Sequence, residues 1–144
     1  MKAITIRQPY ASRIVLGEKR VENRTRTTYM RGTVLVHAGA VVHDHFAEVR
    51  DVYADLPLSA IVGSVDIVGS HSAALCERHS CFMGGGFRPG TEDALGNHIP
   101  DGPLFHWVLS NPVCFDEPIP ASGALGFWQP GFEVREAVGK AVRR

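Results

Sequence analysis

The chain has 144 residues, of which 44% are hydrophobic and 21% charged, and its formal net charge at pH 7 is zero. This composition excludes an intrinsically disordered chain. No apolar run reaches the roughly 20 residues that a membrane-spanning helix needs. The length predicts a single domain over residues 1–144, which we expect to bury about 70% of its unfolded surface without disulfides or metals.

The first residues and the cysteines bear on where the protein resides. The apolar stretch at residues 3–6 is too short for a secretory signal. Three cysteines cannot all pair within one chain, which favours a reducing compartment. We therefore expect a cytoplasmic protein with no membrane partner.

The zero net charge conceals an uneven distribution. Residues 1–31 hold eight basic and two acidic residues, a net charge of +6, whereas residues 32–130 hold three basic and eleven acidic residues, a net charge of −8. The last fourteen residues carry +2. A basic N-terminal face is typical of proteins that bind polyanions, although a solvated surface without a ligand has the same pattern.

The first third of the chain predicts strands around one short helix. β-branched residues at 3–6 predict a strand, Pro9 suits the first turn of a helix, and Gly17 suits its end. Residues 20–24 alternate, which predicts a strand with its charged side chains on one face. The apolar run at 33–38 predicts a strand buried on both faces.

The remainder predicts further strands and two helices. Asp44 is a candidate N-cap for a second helix, and residues 60–68, 105–109 and 124–128 predict strands. The apolar spacing in 132–144 predicts a closing amphipathic helix. A strand and helix alternation is not sustained, so we predict an α+β fold with a small, strongly curved sheet or barrel.

A long segment rich in glycine and proline interrupts this pattern. Within residues 70–104, the part at 82–103 contains three consecutive glycines and several turn signals. Loops longer than about 12–15 residues are usually lids or disordered segments. We expect a flexible insertion here.

The segments Ile4–Ala11 and Gly17–Arg24 each carry a motif, and they lie at a set distance from each other. Together with several later segments, they resemble one known family, the ASCH domain of the PUA-like superfamily. The resemblance covers about residues 2–130, and its most specific element is Gly-x-Lys-x-x-Glu-x-Arg at a set distance after Gln-Pro-aromatic. The matching segments are Ile4–Ala11, Gly17–Arg24, Tyr29–Gly32, Val34–Ala38, Phe105–Leu109 and Pro118–Trp128.

The resemblance implies a small curved PUA-like β-barrel with two or three short helices and a polar pocket. It also implies single-stranded RNA, or a nucleotide- or nucleoside-like small molecule, as the partner. One branch of the family removes the acetyl group from N4-acetylcytidine, and another has been credited with ribonuclease activity. The deacetylating branch has Thr where this chain has Glu22, so its chemistry does not transfer intact. Asp66 and Glu77 are weak candidates for its further glutamate.

Lys19, Glu22 and Arg24 form the centre of the expected pocket. Positions 22 and 24 of a strand share a face, and Lys19 precedes that strand closely enough to converge with them. A desolvated lysine can act as a base or nucleophile, with Glu22 as its partner, and this would make the protein a hydrolase. Lys19 with Arg24 also suits a phosphate. An ion-pair cluster that only stabilises the fold is the alternative.

Gln8, Pro9 and Tyr10 are further candidates at the turn into the first helix. The Gln8 amide can read a base edge, and Tyr10 can stack on a base. Gln8 can equally cap the helix, and Tyr10 can simply pack in the core. Arg26 and Tyr29 predict a second contact, because an aromatic residue within a basic patch is used to bind single strands; an ordinary surface tyrosine is the alternative.

The histidines and cysteines do not predict a metal site. His43-x-His45 and the cluster Cys76, His79 and Cys81 contain zinc ligand types, but neither spacing matches a strong template. His37 ends a buried strand and is expected to be a hydrogen-bonded core residue. We expect no cofactor, and the oligomeric state is not set by these patterns.

Overall fold

The computed structural model describes residues 1–73, 75 and 105–142, except for the side chains of 45 and 47–50. The predicted insertion at 82–103 and the cluster Cys76, His79 and Cys81 lie outside the described residues. The elements are β1 Ala3–Gln8, α1 Tyr10–Val15, β2 Val21–Arg24, β3 Gly32–Val42, a 3₁₀ helix Asp44–Tyr53, β4 Ala60–Ser72, β5 Phe105–Pro120, β6 Phe127–Trp128 and α2 Phe132–Ala141.

The six strands form one sheet in the order β2-β5-β4-β3-β1-β6. This sheet and its two α-helices confirm the predicted α+β class. Among the described residues β2 and β6 are the two ends of the strand order, so the expected closure into a barrel is not confirmed.

The chain divides into two compact units. The first contains Met1–Lys19, Thr33–Asp66 and Asn111–Arg144, and the second contains Arg20–Gly32 and Ile67–Ser110. Because β4 and β5 each pass from one unit into the other, the division does not coincide with a break in a strand. The single domain stays a prediction.

The core of the first unit is built around β1. This strand pairs in parallel with β3, where Ala3 faces Leu35, and antiparallel with β6, where Ala3 faces Trp128. Ala3 and Leu35 are buried together with Ile61 and with Val138 of α2. The apolar stripe of α2 therefore covers this core, as the spacing of its residues predicts.

In the second unit β2 pairs antiparallel with β5, from Val21 opposite Val108 to Arg24 opposite Phe105. Within β2, Val21 is buried, at 1% exposed, whereas Asn23 on the same face of the strand is exposed. The exposure of Glu22 and Arg24, which lie on the other face, is between these two values. The register therefore places the two charged side chains next to β5 residues on one face.

Several elements differ from the sequence predictions. β3 and β4 are longer than predicted, at Gly32–Val42 and Ala60–Ser72. The segment that begins at Asp44 is a 3₁₀ helix rather than an α-helix, and β6 contains only Phe127–Trp128. β5 continues to Pro120 because Asn111 adopts a positive φ of 50°, a conformation that asparagine tolerates, and the strand does not end there.

One glycine reflects a close approach of strands. A Cβ atom on Gly63 of β4 would collide with the carbonyl oxygen of Val113 in β5 and with the side chain of Val15 in α1. Only glycine fits at this point of the first unit.

None of the described helices is long and apolar enough to span a membrane.

Candidate functional site

The junction between β1 and α1 is organised by Gln8, which is completely buried. Its Nε2 donates hydrogen bonds to Ser12 Oγ and to the carbonyl oxygen of Pro57, both at 2.9 Å. Its Oε1 accepts a hydrogen bond from the backbone N–H of Ser12 at 3.0 Å. Both amide hydrogens are used within the chain, so this geometry favours the helix-capping role over base reading.

Pro9 is likewise part of the helix start. The residue is buried, and its carbonyl oxygen accepts the backbone N–H of Arg13 at 3.1 Å. Proline loses no hydrogen bond at this position, because the first N–H groups of a helix have no partner within it.

Tyr10, the first residue of α1, contacts Lys19, which follows the end of the helix. The Lys19 Nζ lies 5.4 Å from the centroid of the Tyr10 ring, a distance typical of a cation–π contact. The helix ends at a left-handed Gly17, whose φ is 79°, and the Arg13 carbonyl then accepts the backbone N–H of Lys19. The turn at Gly17 therefore directs Lys19 back along the helix toward Tyr10.

Tyr10 also belongs to an aromatic cluster with the 3₁₀ helix. Its ring makes edge contacts with His43 at 5.2 Å and with Phe46 at 5.7 Å, and Phe46 contacts Tyr53 in the same way. These contacts restrain the Tyr10 ring, which is only half-buried. The cluster leaves part of one aromatic face next to a cation.

In the second unit Glu22 and Arg24 form an ion pair, with Arg24 Nε 3.2 Å from Glu22 Oε1. The Glu22 side chain is 13% exposed and the Arg24 side chain 28% exposed. The Arg24 guanidinium also lies 5.6 Å from the centroid of the Trp107 ring. Glu22 thus engages the Arg24 cation, as the ion-pair alternative predicts.

Trp107 connects this pair to the loop that follows β2. Its Nε1 donates a hydrogen bond of 2.8 Å to the carbonyl oxygen of Arg26. In the same loop Tyr29 is 92% exposed, whereas Thr28 is buried. Arg26 and Tyr29 therefore lie on one surface loop, as the sequence predicts, and both side chains are exposed.

The structure thus brings the expected site residues together in three groups. Tyr10 contacts Lys19, Glu22 contacts Arg24, and Arg26 and Tyr29 share a loop. Lys19 belongs to the first unit and Glu22 and Arg24 to the second. The predicted convergence of these three residues stays a prediction.

Comparison with known proteins shows to which family the chain belongs. The model of the ASCH domain matches residues 4–118, about four fifths of the chain. The chain belongs to the ASCH domain family.

Solved structures agree with this assignment at the level of the fold. The crystal structure of an ASCH protein from Zymomonas mobilis is similar with a TM-score of 0.58 at 13% identity, covering 96% of this chain and 93% of that one. Two mutants of that protein, one Tyr-to-Phe and one Ser-to-Ala, give TM-scores of 0.58 and 0.60 at the same identity. These matches cover 96% of this chain and 96% and 94% of the mutant chains. No curated protein matches the sequence significantly.

The ASCH match contains every site residue that the sequence predicts, from Gln8 to Tyr29. Two contacts in the structure are not indicated by the sequence. Trp107 is not among the predicted site residues, and the sequence gives no sign that Ser70 bonds the loop after β2. The indole N–H of a buried tryptophan usually has a hydrogen-bond partner, and this general rule is the signal that could have indicated the Trp107 contact.

Two further predictions concern residues outside these groups. In this ASCH chain His37 is buried, its Nε2 donates to the Ala121 carbonyl at 2.8 Å, and its Nδ1 lies 3.2 Å from Thr5 Oγ1. His37 is therefore a hydrogen-bonded core residue, as predicted. Within the described part of the chain, no group of three or more His, Cys, Asp or Glu side chains is placed to hold a metal ion.

Proposed function

We propose that this ASCH domain binds RNA, or a nucleotide- or nucleoside-like ligand, at a polar pocket around Gly17–Arg24. In this proposal the chain acts in the cytoplasm as one domain with a barrel-like sheet and no resident cofactor. The proposed pocket contacts are Tyr10, Lys19, Glu22 and Arg24. Arg26 and Tyr29 are proposed as separate contacts on the loop after β2, and Gln8 and Pro9 form the buried start of α1 next to Tyr10.

One observation carries this proposal: the two cations at the fixed positions of the motif, Lys19 and Arg24, each lie against an aromatic ring. Lys19 lies against Tyr10 and Arg24 against Trp107. The half-buried Tyr10 ring beside Lys19 suits a nucleotide, because the ring can contact a base while the cation contacts a phosphate. The Trp107 ring is buried, so its part in this proposal is to position Arg24. An ion-pair cluster needs no aromatic partner for its cations.

The charge of the surrounding segment supports the same class of ligand. Six of the eight basic residues within 1–31 are exposed: Lys2, Arg7, Arg13, Arg20, Arg26 and Arg31. Exposed cations attract a phosphate backbone and accelerate its encounter with the protein. Binding that depends on them weakens with added salt.

Fluorescence anisotropy with a labelled single-stranded RNA of about ten nucleotides tests the proposal. We expect binding at low salt, with a Kd that rises steeply as salt is added. Lys19→Ala and Arg24→Ala should each weaken binding about three- to tenfold and reduce the salt slope by about 0.7 for each phosphate that the variant no longer neutralises. Arg135→Ala, which removes an exposed charge on α2, should change neither quantity. Absence of binding, or equal behaviour of all three variants, would reject the proposal.

Hydrolysis with Lys19 as base or nucleophile and Glu22 as its partner is the alternative function. One contact favours binding instead: Glu22, the partner that this mechanism needs, pairs with Arg24. Incubation with N4-acetylcytidine and with oligoribonucleotides, followed by chromatography, distinguishes the two functions. Product from the wild type that disappears in Lys19→Ala supports the hydrolase. Product that survives Lys19→Ala rejects this mechanism.

A further inference from the structure

The loop Thr25–Arg31 combines an exposed aromatic side chain with a restrained backbone. Tyr29 at its tip is 92% exposed, which is unusual for an amphipathic ring that normally covers apolar surface. An exposed tyrosine on an unstructured loop would need no explanation. The hydrogen bonds of this loop show that it is structured.

The base of the loop is attached to β4 and β5. The Ser70 hydroxyl of β4 lies 2.9 Å from the Thr27 hydroxyl and accepts the backbone N–H of Thr28 at 3.3 Å. The Trp107 indole of β5 donates to the Arg26 carbonyl. Both strands therefore restrain the residues that precede Tyr29.

The tip of the loop is closed on both sides of Tyr29. Thr28 Oγ1 accepts the backbone N–H of Met30 at 3.0 Å. The Arg31 Nη1 donates to the carbonyl oxygens of Thr28 and Met30 at 3.0 and 2.7 Å. The residues before and after Tyr29 are thus bonded to each other and to Arg31, while the ring itself extends into solvent.

A ring presented on such a backbone is suited to stacking. Ordering a flexible loop costs free energy on binding, and a loop already held by hydrogen bonds avoids most of this cost. Most of the loop is polar. Thr25, Arg26, Thr27 and Arg31 are exposed, and the one apolar neighbour of Tyr29 along the loop is the half-buried Met30. A protein-binding site usually surrounds its aromatic anchor with further apolar surface, which the neighbours along this loop do not supply.

We propose that the loop Thr25–Arg31 is a platform on which one unpaired base of single-stranded RNA stacks against Tyr29, while Arg26 contacts an adjoining phosphate. The choice of RNA as ligand rests on the proposed function. The platform itself lies outside the Lys19 and Arg24 groups. In a duplex the base faces are covered by their stacked neighbours, so the platform selects unpaired nucleotides.

Anisotropy with a labelled single-stranded oligouridine of about ten nucleotides and with a duplex of the same length tests the platform. Tyr29→Ala should weaken oligouridine binding roughly 5- to 150-fold, the range for loss of one stacked base, and leave duplex binding unchanged. Tyr29→Trp and Tyr29→Phe should retain binding, because both rings stack. Leu125→Ala, which truncates a side chain that is 99% exposed, should bind like the wild type.

The outcomes separate this inference from the proposed function. Weakened oligouridine binding in Lys19→Ala and Arg24→Ala with unchanged binding in Tyr29→Ala would overturn the platform and leave the proposed pocket intact. Weakened oligouridine binding in Tyr29→Ala with unchanged binding in Lys19→Ala and Arg24→Ala would support the platform and reject the pocket. Equal loss in Tyr29→Phe and Tyr29→Ala, or equal loss for oligouridine and duplex, would overturn stacking. Absence of any RNA binding by the wild type would reject both.

Discussion

The junction of β1 with α1 and the loop Thr25–Arg31 both lie in the basic segment 1–31. They differ in whether the side chain of the candidate residue is buried and bonded or exposed. At the junction the Gln8 side chain is completely buried and bonded through both of its amide atoms. In the loop the bonds involve mainly backbone groups, and the aromatic side chain, Tyr29, stays exposed.

This difference separates residues that stabilise the fold from residues available to a ligand. A buried amide with all of its partners in the chain cannot exchange them for a base without losing those bonds. An exposed ring on a bonded backbone can contact a ligand without breaking any bond of the fold. Both regions carry residues of the family motifs, so motif membership alone does not assign a role.

The largest effect that tests this comparison is expected for Gln8→Ala. The substitution removes three hydrogen bonds, leaves the Pro57 carbonyl without this donor and creates a small cavity. We expect a loss of about 2–4 kcal/mol in the free energy of unfolding, measured by urea denaturation. Gln129→Ala, at an exposed glutamine, should change it by less than about 0.5 kcal/mol. A similarly small loss in Gln8→Ala would contradict the buried cap.

Arg31→Ala should have a smaller and local effect. It removes the two bonds that close the tip of the loop, each of which contributes on the order of 1 kcal/mol or less in an exposed position. We expect a loss of about 1 kcal/mol, with faster hydrogen exchange at the Met30 amide and unchanged exchange in β1. If the Met30 amide exchanges as slowly as in the wild type, Arg31 does not restrain the loop.

The sequence predicts the order and type of most elements, because their signals are local. The strand at 33–38, the helix start at Pro9 and its end at Gly17 all depend on neighbouring residues. The N-cap candidate Asp44 predicts a helix, but it does not distinguish an α-helix from the 3₁₀ helix that forms. The sequence predicts a strand over residues 105–109, and only the tertiary structure carries β5 on to Pro120.

The role of each site residue is less predictable, because it depends on distant partners. Gln8 bonds Pro57, which is 49 residues away in the chain, and no local pattern indicates that contact. The loop after β2 depends on Ser70 in the same way. The sequence therefore identifies Gln8 and Tyr29 as candidates, and only the partners and the exposure of each residue separate their roles.

Asp66 is intermediate between the buried Gln8 and the exposed Tyr29, because its side chain is partly exposed and also hydrogen-bonded. We expect its effect on the free energy of unfolding to be modest. Hydrogen bonds from the Asn111 side chain at 2.9 Å and the Thr33 hydroxyl at 2.6 Å lower the pKa of this carboxyl below its ordinary value of 3.8. A carboxyl whose pKa is lower in the folded state stabilises the fold above the unfolded pKa. That contribution is lost as the pH falls through the folded pKa.

We therefore expect Asp66→Asn to lower the free energy of unfolding at pH 7 by less than about 1 kcal/mol, since the site is partly exposed to solvent. Below about pH 4 the difference between the variant and the wild type should shrink. Urea denaturation at several pH values between about 3 and 7 measures this difference. A gap that is constant across the whole range would show that the bonds to Asn111 and Thr33 do not favour the ionised carboxylate.

The smallest effect on stability is expected for Tyr29→Ala, the same variant for which we expect a large loss of RNA affinity. Tyr29→Ala removes a ring that is 92% exposed, so we expect the free energy of unfolding to change by less than about 0.5 kcal/mol. Paired urea denaturation of the wild type and the variant, together with hydrogen exchange at Met30, measures this. A loss above about 1 kcal/mol would mean that the ring packs against the protein, and the contrast between a buried cap at Gln8 and an exposed ring at Tyr29 would no longer hold. An unchanged stability would mean that any loss of RNA affinity in Tyr29→Ala comes from the missing ring and not from an unfolded loop.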